Sequence, residues 1–492
     1  MQRRQFLALC ASSAGSVLLS RCGRGQTQTA PEPQVKRPKL HTSRNGVLEL
    51  DLEASAREIN LGDETVDLLA YNGQIPGPRL EAKLGDTVRI RFQNNLPDPT
   101  NLHYHGLHIP PTGNADNVFL SVGSGEQVTY EFSIPQTHSG GLAYYHPHLH
   151  GYVADQILGG LGGIFVVRGP LDEIPEIQAA EEIFLFLKDF VVEQDRPMMG
   201  RMAGREGDLV TVNGQVNPSF SIPAGGLARL RLVNASNARF YRLALEKHPF
   251  YLIATDGHPL SVPVEMSELL LSPGERAEVL VRGEQEPGEY RLLDLPYSRG
   301  QMGMMGGMMG QNRRRPGMMG REHMGPGMMH QNDQDSPQTL ATLSYSGQVE
   351  PQSLPQKLLP VDDLASPTTE RKFALNHGMV PGQGMVFLIN GKSFDPQRID
   401  TEVALDTIED WDISNTGVMD HPFHLHTNPF QVIARNGKPE PYQTWKDTVL
   451  IPTGETVRIR IPFKDYPGKT VYHCHILDHE ELGMMGTIEM QA

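Results

Sequence analysis

Runs of alternating apolar and polar residues recur along the chain, separated by Gly, Pro and Asn. Three of them are DTVRIRFQN (86–94), GLARLRLVN (226–234) and DTIEDWDISN (406–415). A period of two sends successive side chains to opposite faces, so each run predicts a strand with one buried face. Each is preceded by an Asn-Gly pair, Asn72-Gly73, Asn213-Gly214 and Asn390-Gly391, which reads as a tight turn. A second set follows, GEQVTYEFSIP, GERAEVLVRG and GETVRIRIPF. A third set comes after a Gly: GGLAYYHPHLH, GEYRLLDLP and GKTVYHCHILDH. The pattern predicts one β unit written three times. With 50 Gly, 38 Pro and 7% aromatic residues the composition suits a turn-rich β protein. A length of 492 residues suits three domains at roughly 150 residues each.

The copies differ in their histidines. The alternating runs end at Asn94, Asn234 and Asn415. Nine and eleven residues on lie His103 and His105 in the first copy, and His424 and His426 in the third. The second copy has Leu243 and Leu245 there. Aligned on Tyr145-His146 and Tyr472-His473, Pro147 falls opposite Cys474. YHCHILDHEELGMM (472–485) places Cys474 between His473 and His475, with His479 and Met484 downstream. A thiolate, an imidazole and a thioether suit a copper electron-transfer site once one more His arrives. On a strand, His473 and His475 point away from Cys474. One strand can thus serve two metal centres. His421, in HPFHLH, and His146 and His148, in HPHLHG, extend the donor set.

These four motifs resemble those of the multicopper oxidase family, over nearly the whole chain after the leader. The resemblance implies an all-β fold of three cupredoxin-like Greek-key β-sandwich domains. It implies four copper ions. Type 1 copper takes His421, Cys474 and His479 with Met484 axial; the spacing favours Met484 over Met485. Type 2 takes His103 and His424. The type 3 pair takes His105, His146, His148, His426, His473 and His475. His150 falls outside the usual set and is expected beside it. Asp116 and Glu480 resemble the family's acidic residues and are candidate proton relays. Asp447 is expected to make a turn or to bond a ligand. The implied reaction couples one-electron oxidation of a donor to reduction of O2 to water. An edge of His421 or His479, both near loop ends, is the expected electron entry.

The expected boundaries are a signal at 1–22, a flexible linker at 23–45, and domains at 46–170, 175–348 and 370–492. The start, MQRRQFLALCASSAGSVLLS, carries Arg3-Arg4 and then an apolar run of about 15 residues, short of the roughly 20 that span a bilayer. It reads as a twin-arginine export signal, with a membrane anchor as the competing reading. The location is then periplasmic or extracytoplasmic. Cys22 is a candidate lipoprotein cysteine, although Arg21 stands where such signals carry a small residue. Without Cys10 and Cys22, Cys474 is the last cysteine, and a metal gives its thiol a use. No other segment is apolar enough to span a membrane. A net charge of −15 argues against nucleic acid as a partner. A monomer is expected.

Residues 301–330 interrupt the second copy with Gly-spaced methionines, among them Met302, Met304, Met305, Met308 and Met309. Thioethers select Cu(I). The segment is therefore expected to collect Cu(I) or to shelter the entry port; the competing reading is an incidental low-complexity loop. Met198, Met199, Met202, Met379 and Met385 are candidates for the same surface. Met419 and Asp420, beside His421, are candidates for a cuprous substrate site. The leading reading is a Cu(I) oxidase in copper tolerance that also accepts phenols. The alternatives are a laccase with an organic physiological donor and a non-enzymatic copper-binding or scaffold protein.

Overall fold

The computed structural model describes residues 37–192, 199–300, 336–382 and 384–492. Their strands form six sheets. In the first unit Glu64–Tyr71, Val47–Leu61, Thr87–Asn94 and Gln127–Ser133 make one sheet. Leu40–Thr42, Gly77–Lys83, Gly163–Arg168, Gly141–His146 and His103–His105 make the other. The linker expected at 23–45 therefore ends earlier, because Leu40–Thr42 pairs in parallel with Arg79–Glu81.

The pairing repeats. Val47–Leu61 lies parallel to Thr87–Asn94, Glu181–Phe190 to Leu227–Asn234, and Thr369–Val380 to Thr407–Asn415. Parallel neighbours cannot be joined by a hairpin, so each unit must cross between its sheets, as a Greek key does. The expected three sandwiches are present, each around its own apolar core. Leu48, Ile90 and Phe165 lie in the first core, Leu230, Val279 and Leu292 in the second, and Trp411, Ile459 and Met484 in the third.

The repeated Asn residues do the same work in each copy. Asn94 donates to Asp98 O and Val122 O and accepts from Leu96 N. Asn234 donates to Arg239 O and Leu271 O and accepts from Ser236 N. Asn415 donates to Met419 O and Ile451 O and accepts from Gly417 N. One amide thus pins the loop after each strand, which in the first and third copies delivers a His-x-His pair, at about 1 kcal/mol per bond. At the turns, Asn72, Asn213 and Asn390 adopt φ of 50°, 53° and 52°, which Asn tolerates and which Gly follows at no steric cost.

The second copy departs from the half-buried expectation. Every residue of Leu227–Asn234 is buried. Arg229 and Arg231, on its polar face, are covered by the connection from the first unit and meet Glu278, Asp172 and Glu182 at 2.6–2.9 Å. The alternation is intact, but ion pairs occupy the face where solvent was expected.

Candidate metal centres

Register brings the histidines together. His103 pairs with His146 in the first unit and His424 with His473 in the third. The same place in the second unit holds Leu243 and Asp294. Pro147 and Cys474 thus occupy equivalent positions. Cys474 faces the third core with Tyr472 and Met484, while Met485 packs on the other side with Val118 and Val471. Strand alternation, rather than spacing, separates the two methionines.

Cys474 Sγ lies 3.4 Å from His421 Nδ1 and 3.8 Å from His479 Nδ1, and the two nitrogens are 3.2 Å apart. Donors about 2.0–2.3 Å from a shared ion at trigonal or tetrahedral angles stand roughly 3.3–3.7 Å apart. The trio is spaced for one ion. His479 rides on the short helix Leu477–Glu481 and stacks on Phe387, with centroids 3.9 Å apart. Both imidazoles are buried, so neither presents the open edge expected for electron entry.

The other eight histidines meet between the first and third units. His105, His146 and His475 form one triad; His148, His426 and His473 form another; His103 and His424 stand together beside His105. Their tautomers follow from their partners. His103 Nδ1–H donates to Asp116 at 2.9 Å, and His424 Nδ1–H to the Asp447 carbonyl at 2.8 Å. That leaves both Nε2 lone pairs buried with no protein partner. His473 Nδ1–H donates to Cys474 O, so its bare Nε2 faces His148 Nε2 at 3.0 Å and His426 Nε2 at 3.1 Å. Three ring nitrogens cannot satisfy one another in this way, but they can share a cation. The donors fit copper.

Burial and repulsion between neighbouring rings set the charge states. Both effects hold His103, His105, His148, His426, His473, His475 and His479 well below the ordinary imidazole value. His146 and His421 fall to about 3, again mainly through burial. These imidazoles are neutral at pH 7 and offer lone pairs. Burial pushes the Cys474 thiol up, so without a cation it keeps its proton.

Carboxylates surround the cluster. Asp116 also accepts the Tyr104 N–H, and burial raises its carboxyl to about 7. Glu480 is fully buried with neither oxygen hydrogen-bonded. It lies 3.3 Å from His473 Nδ1 and 4.0 Å from His148 Nδ1, and burial raises it well above the usual range. Asp447 accepts from His105 Nε2 at 2.9 Å and from Arg276 at 2.7 and 2.5 Å. Arg276 comes from the second unit, which has no histidines at these positions. Nothing in GERAEVLVRG marks that role. A cavity of about 380 Å³ has buried His103, His424 and Asp447 in its lining together with exposed Asp362, Lys464 and Asp465, so it connects the cluster with solvent.

Other candidates separate. His150 is exposed against Phe394 and stands apart from the cluster. Met419 is buried in the third core. The Asp420 oxygens accept Tyr297 O–H at 2.6 Å and Thr453 N–H at 2.8 Å. Met302, Met304, Met305, Met308 and Met309 lie outside the described residues, as do Met198 and the leader. Gly300, the last described residue before the methionine segment, lies against Val418 and Met419.

Three family models described as multicopper oxidase match residues 53–172, 184–304 and 364–491. "Multicopper oxidase mco" of Staphylococcus epidermidis is 30% identical over 435 residues, which cover 86% of this chain and 83% of the relative. The Bacillus subtilis protein named "Laccase" is 23% identical over 525 residues, covering 94% and 97%. The solved "Multicopper oxidase from Campylobacter jejuni: a metallo-oxidase" superposes with a TM-score of 0.78 at 29% identity, covering 94% of this chain and 96% of its own.

Proposed function

The chain belongs to the multicopper oxidase family, and on that premise we propose that its two donor clusters hold four copper ions. The protein is a copper oxidoreductase that uses O2. Bound copper supplies one-electron oxidation of a donor and four-electron reduction of O2 to water. In our reading His421, Cys474 and His479, together with Met484, would hold the type 1 ion. His103 and His424 take the type 2 ion. Each triad takes one type 3 ion. The observation that carries the reading is the position of Cys474, the one cysteine among the described residues. Its Sγ joins two imidazoles on one face of the strand, while His473 and His475 enter the triads on the other.

The protein's groups have separable tasks. The Cys474 backbone joins the two clusters by covalent bonds, one of which ends in the His473 ring. Asp116 orients His103, and Asp447 orients His105, each by accepting the N–H opposite the donor nitrogen. Glu480 is kept protonated by burial and hands protons toward the His473 and His148 side. Asp116 serves the same relay from the His103 side. The cavity admits O2 and releases water.

For the donor we favour Cu(I) over a phenol, on the strength of the Gly-spaced methionines in the sequence of 301–330. We keep the second and third domains at 175–348 and 370–492, and extend the first, 46–170, back to include Leu40–Thr42. Export by the twin-arginine route as a monomer completes the reading; no described helix is long and apolar enough to cross a membrane. Copper analysis and absorbance test the centres. Wild type should bind about four coppers with an intense blue thiolate band, and Cys474→Ser should lose the band while its triads keep copper. A band that survives Cys474→Ser would sink the assignment. Catalytic efficiency on Cu(I) and on a phenol, with and without added copper, decides the donor: strong phenol turnover without copper favours the laccase alternative.

A further inference from the structure

One hairpin of the third unit runs past the end of its core. Thr369–Val380 and Gly384–Ile389 pair antiparallel, with Leu375 opposite Ile389, His377 opposite Phe387, and Met379 opposite Met385. Opposed residues, and residues two apart on a strand, share a face. All six therefore line one face. Its inner end, Leu375, Ile389 and Phe387, is core. Its outer end is not, for Met379 is 72% exposed and Met385 41%. Apolar side chains stabilise a fold by leaving water, so packing does not account for this pair. Directly opposed Cβ atoms stand about 4.5–5.5 Å apart, and two thioethers on such a pair can reach a common point.

The same face ends on the Cys474 centre. Phe387 stacks on His479 at 3.9 Å and meets His421 edge-on at 5.9 Å. The His377 ring lies 6.2 Å from that of Phe387. On its other side it closes over Gly417. A Cβ there would stand 3.6 Å from His421 Nε2 and 3.8 Å from His377 Nδ1, so both imidazoles border the space that the glycine leaves open. His421 Nε2 has no hydrogen-bond partner in the protein.

We propose that Met379, Met385 and His377 form a docking site for a Cu(I) substrate ion, whose electron enters through His377 and His421. The proposal rests on the reading of His421 as a ligand of the electron-accepting copper. Two thioethers and an imidazole are a soft donor set that favours Cu(I). The docked ion is oxidised to Cu(II). Its electron reduces the Cu(II) held by His421, Cys474 and His479 to Cu(I), and no proton moves. Cu(II) prefers nitrogen and oxygen in tetragonal geometry, so the thioethers hold the product weakly and it departs. Met419 and Asp420 are poorer candidates, since one is buried in the core and the other has both oxygens bonded.

The test uses full-length, copper-loaded protein labelled with methyl-¹³C methionine and titrated with Ag(I), a redox-silent stand-in for Cu(I). Met379→Leu and Met385→Leu assign the two methyl signals. Both signals should shift and saturate together. The double Leu variant, changed only at exposed positions, should lose Cu(I) catalytic efficiency by at least about tenfold, the floor seen on loss of even an indirect metal partner. Its phenol turnover and blue band should stay at wild-type values. Stationary Met379 and Met385 signals, or unchanged Cu(I) efficiency in the double variant, would overturn the docking site. Absence of the blue band from wild type would overturn the underlying reading instead, and is seen before any silver is added.

Discussion

Arg276→Met tests whether the second unit governs a metal cluster to which it gives no ligand. Arg276 is fully buried and bonds both Asp447 oxygens, at 2.7 and 2.5 Å. Burial opposes charge on Asp447, yet Arg276 and the His105 N–H hold its carboxyl well below the usual range. Met fills much of the same space but supplies no charge. Asp256, also beside Arg276, keeps Lys446 at 3.3 Å, whereas Asp447 is left with two neutral partners, His105 and the Thr448 hydroxyl. Breaking a buried pair from one side costs about 3–5 kcal/mol. Asp447 then takes up a proton at neutral pH and is a weaker acceptor for His105 Nε2–H. The tautomer that leaves His105 Nδ1 free for a metal loses its support, which lowers copper affinity at that triad about 10–100-fold. Copper content, thermal unfolding and the blue band are the assays. The variant should be less stable and short of copper, yet keep the blue band, because the Cys474 trio does not touch Arg276. Adding Asp447→Asn should recover part of the stability, since no lone charge then remains. Full copper, unchanged stability and normal O2 consumption in Arg276→Met would refute the argument.

Three further outcomes are expected. Glu480→Gln keeps the shape but removes the proton: under anaerobic donor the blue band should bleach normally, while its return on admitting O2 slows by about 10²–10⁴; equal rates of return would remove Glu480 from the relay. Met484→Leu conserves volume, so stability should change by less than about 1.5 kcal/mol; the potential of the blue centre should rise in a redox titration, and an unchanged potential would show that Met484 does not face the ion. Asp294, 9% exposed and accepting the Arg242 N–H at 3.0 Å, is raised by burial from 3.8 to about 7. Between those values the folded state binds the extra proton, so stability falls as pH rises through the window. Asp294→Asn should match wild type below pH 4 and exceed it by on the order of 2–4 kcal/mol at pH 7 in denaturant unfolding; a difference constant from pH 4 to 7 would contradict the assignment.

Much of this molecule is legible locally. Asn94, Asn234 and Asn415 mark equivalent strand ends in the sequence, and each pins its loop by the same three bonds. The alternation in 472–485 already sends Cys474 and His473 to opposite faces. Other features have no local sign. Arg229 and Arg231 read as a solvated face and are buried in ion pairs. Arg276 reads as one residue of a strand and braces Asp447.

The sequence by itself determined the donor types, the strand period and the threefold repeat, because each depends on neighbours within one turn or strand. Only the tertiary structure decided how the histidines divide. His148 and His473 lie 325 residues apart and meet at 3.0 Å because two sandwiches pack. That packing sorts six imidazoles into triads that each draw on both units, while packing within the third unit lays Phe387 over His479 of the Cys474 centre. Such contacts depend on which faces are buried against which, and the period of a single strand holds no information about its partner.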